Sequence, residues 1–366
     1  MTGKIISAFS HKGGVGKTNF IYNLGFALSD LGKTVLFVDA DSQMNLSSYV
    51  FGKAHTINYG EAKNDKELDK LENDQIILGE DWKDFCNKYR TFSQHFNSYA
   101  SNTKNEKEIY ISKKDPNIKL LAGSIGLSQS ELEWTDIILG SRTKNQQTKD
   151  LRPYYFEKSI KDLALDFDYV LIDTPPSSSS VITGLSVMSS DYFIVPAAPS
   201  FFSLQAIDNL LDIFKNWLDI FEPHMATANT HGLTLKPKLL GTVVQKSRRF
   251  TRDQKAKNQY SDATNDWIEK INSRLDIFYN YAIRYNYTIE KEQFKKIFIN
   301  SHPLIIDNIC DFTLELSRIA EQNGIPIIHL TKKQCGYLSD KNNNYTKAYQ
   351  SFSDAYKYIA TCLSNL

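Results

Sequence analysis

The sequence predicts an α/β fold, a doubly wound and mostly parallel sheet flanked by helices. Seven short apolar runs recur along the 366 residues with little polar alternation. Strands that read as continuous apolar runs are buried on both faces, as in a parallel sheet covered by helices. Between them lie stretches with apolar residues at helical spacing, and strand alternating with helix is the signature of a doubly wound sheet.

The runs are 4–9 (KIISAF), 34–39 (TVLFVD), 118–123 (IKLLAG), 169–174 (YVLIDT), 192–197 (YFIVPA), 238–245 (KLLGTVVQ) and 325–330 (IPIIHL). Each is read as a strand. In 17–31, Phe20, Ile21, Leu24, Ala27, Leu28 and Leu31 share one helical face, and Gly32 is a C-terminal stop. In 303–323, Leu304, Ile305, Ile309, Phe312, Leu316 and Ile319 repeat that spacing before Gly324, which predicts a second helix. Three stretches read as additions to one domain spanning 1–366: the polar 52–117, the loop-like 141–150, and the charged, Tyr-rich 246–297, expected to be helical in part. A structureless loop of more than ~15 residues is uncommon in a compact domain, so 52–117 is expected to carry structure or function of its own.

Composition bounds the function. Hydrophobic residues make up 41% and the formal net charge is +1, so the total argues for neither a nucleic-acid partner nor an acidic surface. Residues 1–10 lack the parts of a secretory signal, and no window approaches ~20 apolar residues, so no membrane span is expected. Cys86, Cys310, Cys335 and Cys362 form no CxxC pair. They fit reduced thiols in a cytoplasm better than a disulfide framework or a zinc knuckle.

The chemistry concentrates at residues 10–19, SHKGGVGKTN, between the first strand and the first helix. The phosphate-loop pattern GxxxxGK[ST] would start at position 11, which is His11, so the strict pattern fails. The physics survives. Gly13, Gly14 and Gly16, with Val15 between them, let successive N–H groups curl around phosphate oxygens. The following helix N-terminus, at Lys17, Thr18 and Asn19, adds a favourable dipole. Lys17 is expected to reach the β- and γ-phosphates, and the Thr18 hydroxyl to ligate Mg²⁺. Lys12 is a second lysine that such a loop does not need.

KGGVGKT resembles the deviant Walker A loop of the ParA/MinD family of P-loop ATPases. That resemblance implies ATP and Mg²⁺ as cofactors and a homodimer in the ATP state, with Lys12 of each subunit on its partner's nucleotide. A cation delivered in trans stabilises charge on phosphate oxygens, as an arginine finger does. The resemblance continues in order along the chain. Residues 39–45, DADSQMN, are similar to the family's first switch, so Asp41 would position the attacking water and Asp39 would support the Mg²⁺ shell. Residues 169–176, YVLIDTPP, are similar to its Walker B strand and second switch, so Asp173 would bind Mg²⁺ through water. An aspartate after a strand is commonly a helix cap or turn residue. Three motifs in order at strand ends favour the site, which lies where open α/β sheets bind ligands. Weaker similarity at 193–207 and 238–249 offers Pro196, Pro199 and Gln245 as neighbours of the nucleotide, but a core or turn role is the preferred reading for each. The resemblance covers about 1–50, 118–135, 168–245 and 303–364. His11 and Asn19 depart from the family's common residues, and the scattered cysteines argue against the related iron–sulfur carriers.

The implied activity is slow, partner-stimulated ATP hydrolysis in a switch that partitions or positions DNA or another large cargo. The alternative is a regulatory subunit whose ATP-bound dimer assembles or licenses an effector protein. Lys246, Arg248, Arg249, Arg252, Lys255 and Lys257 form a basic run suited to nonspecific, salt-sensitive DNA contacts. A solvated loop or a protein contact explains the run as well. At the C-terminus, Tyr345, Ala348, Tyr349, Phe352, Ala355, Tyr356, Ile359, Cys362 and Leu363 recur at helical spacing. The polar face offers only Lys347 and Lys357, so a packed terminal helix fits better than a membrane-surface helix.

Overall fold

The apolar runs assemble into one eight-stranded sheet in the order β3-β4-β2-β5-β1-β6-β7-β8. The computed structural model describes residues 2–51, 80–101, 103, 107–124, 126–138, 153–247, 262–299, 304–310, 316–317, 319–320, 324–331, 334 and 343–366. The strands are β1 (Lys4–Ala8), β2 (Val35–Asp39), β3 (Tyr110–Ile111), β4 (Ile118–Leu121), β5 (Tyr169–Asp173), β6 (Tyr192–Ala197), β7 (Lys238–Ser247) and β8 (Ile305–Cys310). Every pairing is parallel except that of the two-residue β3 with β4.

The strands show no polar alternation because both faces are covered. Ile5, Val38, Ile172, Val195 and Val244 point to one core. It is closed by α4 (Phe92–Ala100), α5 (Leu127–Ile138), α6 (Pro153–Leu163), α7 (Val181–Met188), α9 (Leu210–Thr230) and α10 (Asp262–Ala282). Ile6, Phe37, Leu171, Ile194 and Val243 point to the other core. There α1 (Lys17–Ser29), α2 (Asn45–Phe51), α11 (Lys291–Ile297) and α12 (Asn343–Ser364) close over them. Two more helices are α3 (Glu80–Lys88) and α8 (Phe201–Asp208).

Most of the predicted elements form, and two are exchanged. The stretch 303–323 begins as a strand, β8, pairing in parallel with β7, and is helical only further on, at 316–317 and 319–320. The predicted strand at 325–330 is a 3₁₀ turn, Ile327–His329. A run of six residues carries no period that separates a buried strand from a buried helical turn. Here β8 takes the place beside β7, and Ile327 and Ile328 pack against the helical layer instead. Helix α1 ends before Leu31, which is 44% exposed rather than on the buried face.

Within 52–117, α4 is no polar appendage. Its Phe92 and Phe96 sit edge-on to Trp134 and Phe156 at centroid distances of 4.6 to 6.2 Å. Within 246–297, α10 likewise buries Ile268, Ile271, Leu275 and Phe278. The predicted loop at 141–150 lies outside the described residues. The C-terminal α12 packs as expected, with Phe352, Ala355, Tyr356, Ile359 and Leu363 buried. Among the described residues no helix is long and apolar enough to cross a membrane.

Candidate nucleotide site

The parallel register brings the site together. Ala8, Asp39 and Asp173 end β1, β2 and β5 side by side, Asp173 being the register partner of both others. The loop after β1 turns back into α1 through Gly14 (φ +72) and Gly16 (φ +89), a region that side chains beyond glycine enter only at a cost. Gly16 is tight as well as left-handed. The Gln245 Nε2 of β7 donates to its carbonyl at 3.2 Å, and a Cβ there would lie 2.7 Å from Gln245 Oε1. Gln245 is buried in the core, as its sequence context favoured, and from there touches the loop.

Lys17 opens α1 and is 7% exposed, its ammonium donating to the Ser10 carbonyl at 3.4 Å. Burial lowers its pKa, while Asp173 and Asp41 pull it back up. Asp39 is fully buried, and protein groups already engage it. Oδ2 accepts from the Ser47 N–H at 2.8 Å and the Ser47 hydroxyl at 2.6 Å, and Oδ1 accepts from the Asp41 N–H at 3.2 Å. Burial pushes its carboxyl up to about 6, and those hydrogen bonds resist the rise. Asp173 differs. It is 1% exposed, and neither carboxylate oxygen has a hydrogen-bond partner among the described residues. Burial first, and then the neighbouring Asp39, raise its pKa; Thr18 and Lys17 oppose them. The Thr18 hydroxyl faces Asp173 without a hydrogen bond of normal geometry.

An unpartnered buried carboxylate beside a lysine and a hydroxyl is costly unless a ligand completes it. This arrangement fits a hydrated divalent cation carried by a polyphosphate. Thr18 and Asp173 are free to face the cation, whereas Asp39 is engaged by Ser47. Among the described residues no three histidine, cysteine or carboxylate side chains are grouped to hold a metal ion by themselves.

Two turns flank the site. Asp41 Oδ1 accepts from the Gln43 N–H at 2.9 Å, and Met44 is left-handed at φ +56, which is unusual outside glycine. The Thr174 hydroxyl donates to the Ala8 carbonyl at 2.7 Å, which ties the end of β5 to β1. A cleft of about 410 Å³ runs between the turns, lined by Asp41, Gln43, Glu131, Pro175, Pro176 and Ser180 among others. Asn19 accepts from the Asn23 amide through its carbonyl and side-chain oxygens, at 2.9 and 3.1 Å. Sequence reasoning missed Ser10, Ser47, Ser200 and Phe202. Their roles come from long-range packing, and none carries a local signal. Of the basic run, Lys246 lies in β7, and Arg248, Arg249, Arg252, Lys255 and Lys257 fall outside the described residues.

A family model described as an AAA domain matches residues 3–226, more than half of the chain. The chain belongs to that family and is a ParA/MinD-like P-loop ATPase. It is 25% identical over 228 residues to the sporulation initiation inhibitor protein Soj of Bacillus subtilis, covering 62% of this chain and 68% of Soj. It is 26% identical over 213 residues to the chromosome-partitioning ATPase Soj of Treponema pallidum, covering 58% and 64%. The chain thus spans about two thirds of the length of these curated relatives. The ATP complex of Cyanothece McdA shares the fold at a TM-score of 0.55 and 17% identity, over 97% of this chain and 96% of McdA.

Proposed function

We propose that this chain is a Mg²⁺-ATP-dependent dimerising ATPase switch of the ParA type, positioning or partitioning DNA or another large cargo. The open carboxylate of Asp173, beside Lys17 and Thr18 at the head of α1, is the observation that carries the reading. Residues Gly13 to Asn19 would cradle the phosphates with N–H groups, and Lys17 would neutralise them. Thr18 and Asp173 would hold Mg²⁺, Asp173 through water, with Asp39 fixed behind them by Ser47. The bound cation would neutralise charge on the phosphate oxygens. Asp41 would orient the attacking water from the first turn, and Lys12 would reach the nucleotide of a second copy. The turns at 41–45 and 174–180 both face this point, so loss of the γ-phosphate would release both. The chromosome-partitioning role of the Treponema pallidum relative supports the cargo reading.

Light scattering tests it. Asp41→Ala should suppress hydrolysis and double the mass in Mg²⁺-ATP, and adding Lys12→Ala should return it to the monomer. A mass that never doubles, or a dimer indifferent to Lys12→Ala, refutes the switch. Duplex DNA offered to the same dimer separates the cargoes. Binding that weakens by orders of magnitude between about 50 and 200 mM salt supports DNA. Absence of binding at low salt points to the effector-regulating role.

A further inference from the structure

Lys12 is occupied within its own subunit. Its ammonium donates to Ser200 Oγ at 3.4 Å and stands 5.1 Å from the centroid of the Phe202 ring. Ser200 caps α8, its Oγ accepting from the Ser203 N–H, and Phe202 lies in that helix's first turn. The ammonium therefore rests near the positive end of a helix, where a cation is disfavoured. The ring face offsets that cost, since a cation over an aromatic face is attracted by its quadrupole. The hydrogen bond is long and Phe202 is 63% exposed, so the contact can be reversed. Lys12 and Phe202 also wall an open groove of about 330 Å³, together with His11, Gly13, Gln205 and Asn209.

Helix α8 does not stand alone. Arg274 Nε of α10 lies 3.5 Å from the Asp208 carboxylate at its far end, and Ile207 is buried in the same core as Ile271 and Leu275. Since α10 lies beyond residues 3–226, this chain braces α8 with a helix from outside the matched family region.

We propose that Ser200 and the ring of Phe202 form a resting cradle that keeps Lys12 on its own subunit, and that docking of a second copy has to break this cis contact, which sets the threshold for dimerisation. The cradle stands on the contacts above; the threshold rests on the dimer reading.

Phe202→Ala and Phe202→Leu test the two parts separately. Without nucleotide, acetylation of the Lys12 amine is followed by peptide mass spectrometry, with exposed lysines as internal references. Loss of an exposed cation–π contact is worth about two- to fivefold in an equilibrium, so Lys12 should react about two- to fivefold faster in both variants. An unchanged rate overturns the cradle. With Mg²⁺-ATP in the Asp41→Ala background, two cradles open per dimer. The protein concentration at half-dimerisation should therefore fall about five- to thirtyfold in both variants, and adding Lys12→Ala should abolish that gain. If Phe202→Ala weakens the dimer while Phe202→Leu preserves it, the side chain is an apolar interface contact and the threshold role is overturned. If faster acetylation is seen but no protein dimerises, the dimer reading fails, the threshold fails with it, and the cradle stands.

Discussion

Replacing Asp173 by asparagine should stabilise the nucleotide-free protein while removing its response to Mg²⁺-ATP. The wild-type carboxylate is 1% exposed, has no hydrogen-bond partner among the described residues, and sits beside Asp39 in the sheet register. Burial and Asp39 raise its pKa above the ordinary 3.8 more than Lys17 and Thr18 lower it. The folded protein therefore holds a proton that the unfolded chain gives up near pH 3.8. Stability contributed by that proton is fully present below the unfolded value. It is lost as pH rises to the folded one, by at most about 1.4 kcal/mol per pH unit. Asparagine does not titrate, so the variant's advantage should grow with pH. Its buried amide carries a cost of its own, about 1–3 kcal/mol if unpaired, which is smaller than the loss of up to about 1.4 kcal/mol per pH unit accumulated by pH 8, so the net change there should be a gain. Urea unfolding at pH 6, 7 and 8 in a chelator measures this. Adding Mg²⁺-ATP should then raise the midpoint of the wild type and leave the variant unmoved. A variant that is less stable at pH 8, or whose advantage shrinks from pH 6 to 8, would refute the account of an open, strained carboxylate.

Two further outcomes concern the loop and the core. Gly14→Ala meets open space and should cost only the left-handed strain, about 1–2 kcal/mol. Gly16→Ala adds a clash with Gln245 and loss of its 3.2 Å hydrogen bond, so it should cost about 1 kcal/mol more; equal midpoints in urea would discount the Gln245 contact. His95 is buried against the Ser159 carbonyl and held neutral, burial lowering its pKa to about 4. The unfolded chain takes up that proton first, so stability should be lost as pH falls from about 6.5 to about 4, by up to roughly 3 kcal/mol. His95→Gln should flatten this slope. Because Asp173 acts in the opposite sense over the same range, the wild-type minus variant difference is the quantity to plot, and a flat difference would contradict the assignment.

What was legible in the sequence was local. The glycines at 13, 14 and 16, the lysine after them, and an aspartate ending each of two apolar strands are all short-range signals, and the parallel register turns them into one site. Period alone could not decide 325–330, which is shorter than the window in which strand and helix patterns diverge, and the helical spacing read over 303–323 ran across a strand and the helical residues that follow it. Nor could the chain announce that Ser47 would engage Asp39 or that Ser200 would receive Lys12, 188 positions away. Polar composition hid the contribution of Phe92 and Phe96 to the core, since two aromatic rings in a charged segment change no average.

The contact between Gln245 and Gly16 also fixes a distance. Two points 229 positions apart in the chain are held within hydrogen-bond reach, so a phosphate loop that shifts pulls on the end of β7 as well. Strand β7 pairs with β6 and β8, so the edge of the sheet is tied to that same point.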